Sequence, residues 1–561
     1  MRRILTTPLA AVTSLALLAT ACSSGLDDTT TSTESDESLG ADGSATPPPA
    51  AGGTARGNTT GSDGAGDAAE APVAVTGSSG GAAVIGSQAA SAEEGERAAP
   101  GDATFATVDQ HPWVATASDA LSTFAMDVDT ASYTVVRQWL HNGWNIEPSM
   151  VRLEEFVNRF TYDYEHPDRG DVWSVTVDAA STPWISPEGE TSLVRVGLQA
   201  FAVDAEDRPD ATLTFVIDTS GSMDGDDRIG LVKRSLALLV ERLRPTDRVA
   251  IVAYGSDARL LLRPTPLSEA EVVLDAIAEL SAGGSTFAEG GLRLGYAAAR
   301  NAFDPNGLNA VILASDGVAN VGETGPEAIL EKARQEAADG ISLLSLGVGM
   351  GNFNDVLLER LANDGDGSYF YIDSDDEADR LFGDRLVATL MPVAAQAKVQ
   401  VEFDEDIVTD WRLLGYENRA LDDDEFRDDS VDAGEVGAGH QVTALFEVVL
   451  RDEAGADPAL GATALTVQLR WADPDDGEVT ERAHRANLGD LIAEPGRDYA
   501  VAVAAASFAE LLRQSVHVDW SLGALHSWAQ DAVPAATDVS GQADLAELLD
   551  LIRTARDLQP E

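Results

Sequence analysis

Residues 212–222 read Thr-Leu-Thr-Phe-Val-Ile-Asp-Thr-Ser-Gly-Ser, and this stretch decides the fold. Its first seven residues form a short, mostly apolar run, the pattern of a strand buried on both faces. The run ends on Asp218, and Ser220 and Ser222 follow at alternate positions. On a tight turn beyond a buried strand, a carboxylate and two hydroxyls can converge above the sheet edge. Small hard cations take oxygen ligands of this kind, and Mg²⁺ keeps near-octahedral geometry with several waters.

Outward from this stretch, strand and helix patterns alternate. Ile229, Val232, Leu236, Leu239, Val240 and Leu243 make a helical stripe. A strand over 249–254, a short hairpin and helices near 269–280 and 287–301 follow. Further on come a strand at 310–314, a helix at 326–338, a strand at 341–348 and a helix near 354–361. Such alternation predicts an α/β fold, a doubly wound and mostly parallel sheet covered on both faces. Right-handed crossovers then bring the C-terminal ends of the strands to one edge, where open α/β sheets bind ligands.

Two more loops at that edge carry oxygen ligands. Gly-Gly-Ser-Thr over 283–286 precedes the helix from about 287, and Ala-Ser-Asp-Gly over 314–317 follows the strand through 313. One such loop is as easily a helix cap or an ordinary turn. Three of them in this order point to one cation site.

At these residues the chain resembles the von Willebrand factor A (VWA) domain, a Rossmann-like fold, and its metal-ion-dependent adhesion site. The resemblance implies that Ser220, Ser222 and Thr286 ligate a divalent ion through hydroxyls, with Asp218 and Asp316 acting directly or through water. It further implies Mg²⁺ as the ion, with Mn²⁺ or Ca²⁺ as the alternatives, and a coordination position open to a carboxylate from a protein partner. Residues 121–133 (LSTFAMDVDTASY), 152–156 (RLEEF), 414–419 (LGYENR) and 433–440 (AGEVGAGH) resemble the flanking regions of bacterial VWA lipoproteins.

Around the α/β segment at 208–390 lie a region over 106–207, helical and then β-like, and a β-rich region over 391–561 that closes in helices. The apolar positions Val151, Leu153, Phe156, Val157 and Phe160 suggest one helix face in the first. In the second, strands are expected at 398–403, 441–449 and 465–471, and helices near 499–514 and 544–557. If the two β regions pack together, the α/β domain is inserted into a β-sandwich. Asp127 and Asp129 alternate with Met126 and Val128, which together with Phe124 are expected to face a core. The two aspartates read as polar positions of a strand or turn, with a second cation site as the other reading. The acidic runs 422–424 and 428–429 read as a solvated loop, and Trp520, His526 and Trp528 as core.

The chain has 561 residues, a formal net charge of −58 and one cysteine. Its acidity argues against nucleic acid and anionic membrane surfaces as partners. Residues 1–21 have a basic start, an apolar stretch and small residues before Cys22, the pattern of a secretory signal peptide. This segment resembles a bacterial lipobox, with the usual Leu one place further out at Leu18. The resemblance implies lipidation of Cys22 after cleavage, a membrane anchor without a span, and a location on the cell surface or facing the periplasm. Residues 22–105 have no aromatic residue before Phe105, a composition too polar to build a core. As a flexible tether of about 80 residues, the segment would reach roughly 50 Å.

Catalytic signals are sparse. No histidine lies between His166 and His440 to serve Ser220 or Ser222 as a base, and no phosphate-binding loop or His-Glu-x-x-His motif occurs. The sequence therefore reads as a metal-dependent binding protein of the cell envelope. An assembly role with metal-independent docking is the alternative, and a metal-dependent hydrolase a more distant one.

Overall fold

The computed structural model describes residues 104–106, 109–317, 326–350, 353–451, 461–491, 496–533 and 539–559. The expected signal segment and Cys22 lie outside them, as does the expected tether apart from Thr104 and Phe105. In chain order come β1 (Val114–Ala115), β2 (Leu121–Ala125), α1 (Ala131–His141), α2 (Leu153–Asn158), β3 (Trp173–Ser181) and β4 (Ser192–Ala200). The next stretch holds β5 (Ala211–Asp218), α3 (Ile229–Arg242), β6 (Arg248–Tyr254), β7 (Ala258–Pro266), α4 (Ala270–Ala278) and α5 (Ala288–Ala302). It continues through β8 (Leu308–Ser315), α6 (Pro326–Ala338), β9 (Ser342–Gly347), α7 (Asp355–Asn363), β10 (Tyr369–Tyr371), α8 (Asp375–Asp379) and α9 (Leu386–Leu390). The last stretch holds β11 (Pro392–Phe403), β12 (Val408–Leu414), β13 (Gly434–Gly437), β14 (Gln441–Leu450), β15 (Thr463–Ala472) and β16 (Val479–Asn487). It closes with α10 (Leu488–Leu491), α11 (Arg497–Leu512), α12 (Leu522–Ala532) and α13 (Val539–Leu558).

The α/β stretch builds a six-stranded sheet of order β10-β9-β8-β5-β6-β7. Its strands run parallel except β7, which returns antiparallel along β6. Side chains alternate across a strand, so β5 feeds two cores. Leu213, Phe215 and Ile217 pack beneath α3 and α4, while Val216 points into the opposite core with α5, α6 and α7. Helices thus cover both faces, as the sequence predicts.

The flanks interleave. One five-stranded antiparallel sheet has the order β1-β12-β14-β4-β3. The other runs β13-β11-β15-β16, with β2 also paired to β11. Each therefore combines strands from before β5 and after α9. Phe124, Val196, Val401, Phe403, Phe446 and Leu469 from the two sheets share one core, which makes a sandwich. The α/β segment is an insertion between its strands.

Some elements depart from the sequence reading. Three long helices close the chain where two were expected; the addition is α12, whose stripe is short because only Leu525 and Ala529 are fully buried. β16 is largely exposed and carries Glu481, Arg482 and Arg485, so this edge strand lacks the apolar alternation that marks a half-buried one. Trp520 and Trp528 stack edge to face at 5.9 Å against the helical core. Asp127 and Asp129 are not on a solvated face: they are 4% and 2% exposed just beyond β2.

Candidate metal centre

The C-terminal end of β5 and the turn after it place the first three residues of interest. Asp218 is fully buried. Its Oδ1 accepts the Ser220 N–H at 2.8 Å, and its Oδ2 accepts the Ser315 hydroxyl at 2.9 Å. Both carboxylate oxygens are thereby fixed, one by its own turn and one by the neighbouring strand β8. Ser220 Oγ and Ser222 Oγ lie 3.0 Å apart, and the Ser222 hydroxyl donates to Asp316 Oδ1 at 3.0 Å. Four of the five residues singled out by sequence are therefore within one hydrogen-bonded constellation.

The fifth, Thr286, is half-buried, and the structure ties its loop to the same turn. Gly221 N–H donates to the Gly284 carbonyl at 3.0 Å, and Gly283 N–H donates to the Thr219 carbonyl at 2.7 Å. Gly284 has φ of +90°, a conformation that favours glycine. Helix α5 begins two residues past Thr286 and sits close on the sheet. A Cβ at Gly295 would come within 2.3 Å of the Val216 side chain, and one at Gly291 within 2.5 Å of the Tyr254 ring. Small residues on one face of α5 thus set where the Thr286 loop emerges.

Several supporting groups escaped the sequence reading. Ser315 clamps Asp218, although it stands beside Asp316 in the quoted loop. The Thr219 N–H and hydroxyl both donate to the Tyr254 carbonyl, at 2.7 and 2.8 Å. The Ser256 hydroxyl accepts the Ser285 N–H at 3.1 Å, and Arg228 Nη1 donates to the Ser222 carbonyl. Ser315 had a local signal, being a hydroxyl beside a candidate ligand. The others act across loops far apart in sequence, where spacing carries no information.

The electrostatics favour a cation. Burial pushes the Asp218 carboxyl above its ordinary range, against the opposing hydrogen bonds from Ser220 and Ser315. Burial, and then the nearby Asp218 carboxylate, push Asp316 up to about 6. Two carboxyls that resist ionisation side by side are relieved by a positive ion. Asp316 Oδ2 is buried and has no hydrogen-bond partner among the described residues, a costly state for a carboxylate oxygen unless an ion meets it. This donor set of carboxylates and hydroxyls, with no sulfur or imidazole, fits a hard divalent ion.

A mostly parallel sheet with carboxylate and hydroxyl side chains clustered at its C-terminal edge is the arrangement of a VWA-type domain. The von Willebrand factor type A domain family matches residues 212–383, a von Willebrand factor family matches 99–195, and the family described as "Uncharacterized protein YfbK, C-terminal" matches 388–558. The chain is 35% identical to the uncharacterized protein YfbK of Escherichia coli (strain K12) over 454 residues, covering 77% of this chain and 78% of that one. It belongs to the YfbK family of VWA-domain proteins. It is also 30% identical to inter-alpha-trypsin inhibitor heavy chain H2 of Sus scrofa over 177 residues, which is 30% of this chain and 18% of that one. Among solved structures, a von Willebrand factor type A protein from Catenulispora acidiphila is similar at 17% identity with a TM-score of 0.40, over 71% of this chain and 98% of that one. VWA-domain proteins mediate protein interactions, often through a metal-ion-dependent adhesion site.

Proposed function

We propose that this protein is a cell-envelope lipoprotein that binds a protein partner through a divalent ion at the edge of its α/β sheet. Asp218, Ser220, Ser222, Thr286 and Asp316 would hold the ion, Mg²⁺ by preference over Mn²⁺ or Ca²⁺. When bound, it would supply a Lewis-acidic position for a carboxylate of the partner. The observation that carries this reading is the convergence of the turns after β5 and β8 on the Ser222 hydroxyl, with Asp316 Oδ2 buried and without a partner among the described residues. A binding role is favoured over catalysis because the site offers hydroxyls and two carboxylates but no imidazole. His440 is buried far along the chain, where its Nδ1 accepts the Gly437 N–H at 3.2 Å.

The full chain, extracted from membranes in detergent, would be used to capture partners in Mg²⁺ and again in EDTA. Capture that depends on Mg²⁺ and is lost in folded Asp218→Ala supports the reading. Capture unchanged by both treatments would instead favour metal-independent docking. The anchor is tested separately: palmitate labelling should be present in the wild-type chain and absent in Cys22→Ser, and an unlabelled wild type overturns that part.

A further inference from the structure

One loop, residues 348–354 between β9 and α7, touches both the metal-type edge and the first described residues of the chain. Its near end meets the edge in two places. The Val348 N–H donates to the Ser315 carbonyl at 3.0 Å, and the hydroxyl of Ser315 is the one that holds Asp218. Gly349 has φ of +67°, and a Cβ there would come within 2.7 Å of Arg228 Cγ and 2.8 Å of Arg228 Nε. The Arg228 side chain therefore lies directly against the loop backbone, a close approach that glycine permits. Its Nη1 donates to the Ser222 carbonyl.

The far end of the loop is held by residues 104–105. The Thr104 N–H donates to the Phe353 carbonyl at 2.9 Å, and Thr104 forms a parallel bridge with Asn354. The Phe105 ring sits 6.2 Å from that of Phe353 and 6.4 Å from that of Trp139 in α1. Phe353 is fully buried and meets Tyr371 edge to face at 5.0 Å. The Tyr371 hydroxyl lies 2.9 Å from the sulfur of Met350, the residue after Gly349. Packed contacts thus run from Phe105 through Phe353, Tyr371 and Met350 to the backbone beneath Arg228.

Little fastens residues 104–105 to the loop. Thr104 is exposed and Phe105 half-buried, and a segment with few buried contacts opens at low cost. These residues also stand where the expected tether joins the folded chain. Any pull between the anchor and a partner at the metal edge passes through them.

We propose that residues 104–105 are a strap that regulates the metal edge. Docked, the strap fixes the loop after β9, and with it Arg228 and the Ser222 turn, in the ion-binding arrangement. Undocked by tension along the chain, it frees that loop. Mg²⁺ demands near-ideal octahedral geometry, so a turn that can shift holds the ion less tightly. This regulation rests on the reading of the edge as a divalent-ion site.

The test measures the Mg²⁺ Kd of the full chain in detergent by titration calorimetry. Phe105→Ala should raise the Kd about fivefold or more, with its circular dichroism unchanged. Coupling is reciprocal, so Mg²⁺ must tighten the strap in turn. Exchange of the Thr104 N–H in the wild type should slow by the same factor in saturating Mg²⁺, and should not slow in Asp316→Ala. An unchanged Kd in folded Phe105→Ala overturns the proposal. So does Thr104 exchange in the wild type that is indifferent to Mg²⁺, a readout that needs no strap variant. A wild type that binds no Mg²⁺ overturns the edge reading and the strap with it, whereas wild-type binding with Phe105→Ala unchanged overturns the strap alone.

Discussion

The C-terminal edge of the six-stranded sheet and the helical seam beneath it treat buried carboxylates in opposite ways. At the seam, arginines meet them. Arg412 is fully buried with Glu447 at 2.8 Å and Glu510 at 3.1 Å. Arg137 reaches Glu377 at 2.9 Å, and Arg152 reaches Asp355 at 2.6 Å. At the sheet edge, Asp218 and Asp316 have hydroxyl and backbone partners and, among the described residues, no ion pair; Arg228 acts on Asp316 only from a distance, and one Asp316 oxygen has no partner among those residues. The chain carries 37 basic residues against 95 acidic ones, so basic side chains are scarce. Those buried at the seam tie helices to one another and to the sandwich, while the edge carboxylates are met mainly by hydroxyls. A buried carboxylate thus signals architecture or a site according to whether a guanidinium faces it.

The largest expected effect tests the seam. Arg412→Met removes the cation and leaves Glu447 and Glu510 buried, so it should cost about 3–5 kcal/mol, read from urea unfolding; a loss below about 1 kcal/mol would break the contrast. Next comes acid. At Glu377 and Glu510 burial opposes the charge, but Arg159 and Arg137 in one case, and Arg513 and Arg412 in the other, outweigh it and hold each carboxyl down to about 2. Unfolded glutamate titrates near about 4.3. Below that pH the unfolded chain binds protons that the native chain refuses, so the stabilisation from these two residues falls as pH drops towards 2. Together they contribute roughly 2–3 kcal/mol per pH unit over that window. Glu510→Gln should remove half of the slope.

Ion binding tests the edge. Mg²⁺ at a hundred times its Kd should stabilise the chain by about 2.7 kcal/mol, with EDTA reversing the shift in Tm. Asp316→Asn should do the reverse of a seam substitution. It relieves repulsion with Asp218 and should stabilise the metal-free chain by about 1 kcal/mol, while abolishing the Mg²⁺ response. Destabilisation of the metal-free chain would place Asp316 with the seam residues. The smallest effect sets the baseline: Arg427→Ala breaks an exposed pair with Glu481 and should change stability by about 0.5 kcal/mol or less.

By itself, the sequence determined the elements whose signals are local. The apolar run before Asp218 and the helical stripe from Ile229 gave the order of the α/β segment, and the residue types at 218–222 and 316 gave a constellation that the structure brings together. Tertiary structure decided the rest. That β2 and β11, about 275 residues apart, pair in one sheet follows from apolar faces that are complete only when both flanks fold together. Edge strand β16 has no alternation to read because nearly all of it, on both faces, is exposed. Ser315, Thr219 and Ser256 support the edge through hydrogen bonds that form only once separate loops are neighbours. Asp127 and Asp129 show the limit most clearly. Alternation correctly placed Met126 and Val128 in the sandwich core, yet the two carboxylates are buried as well, because β13 and the loop before β10 close over a turn that on its own would face solvent.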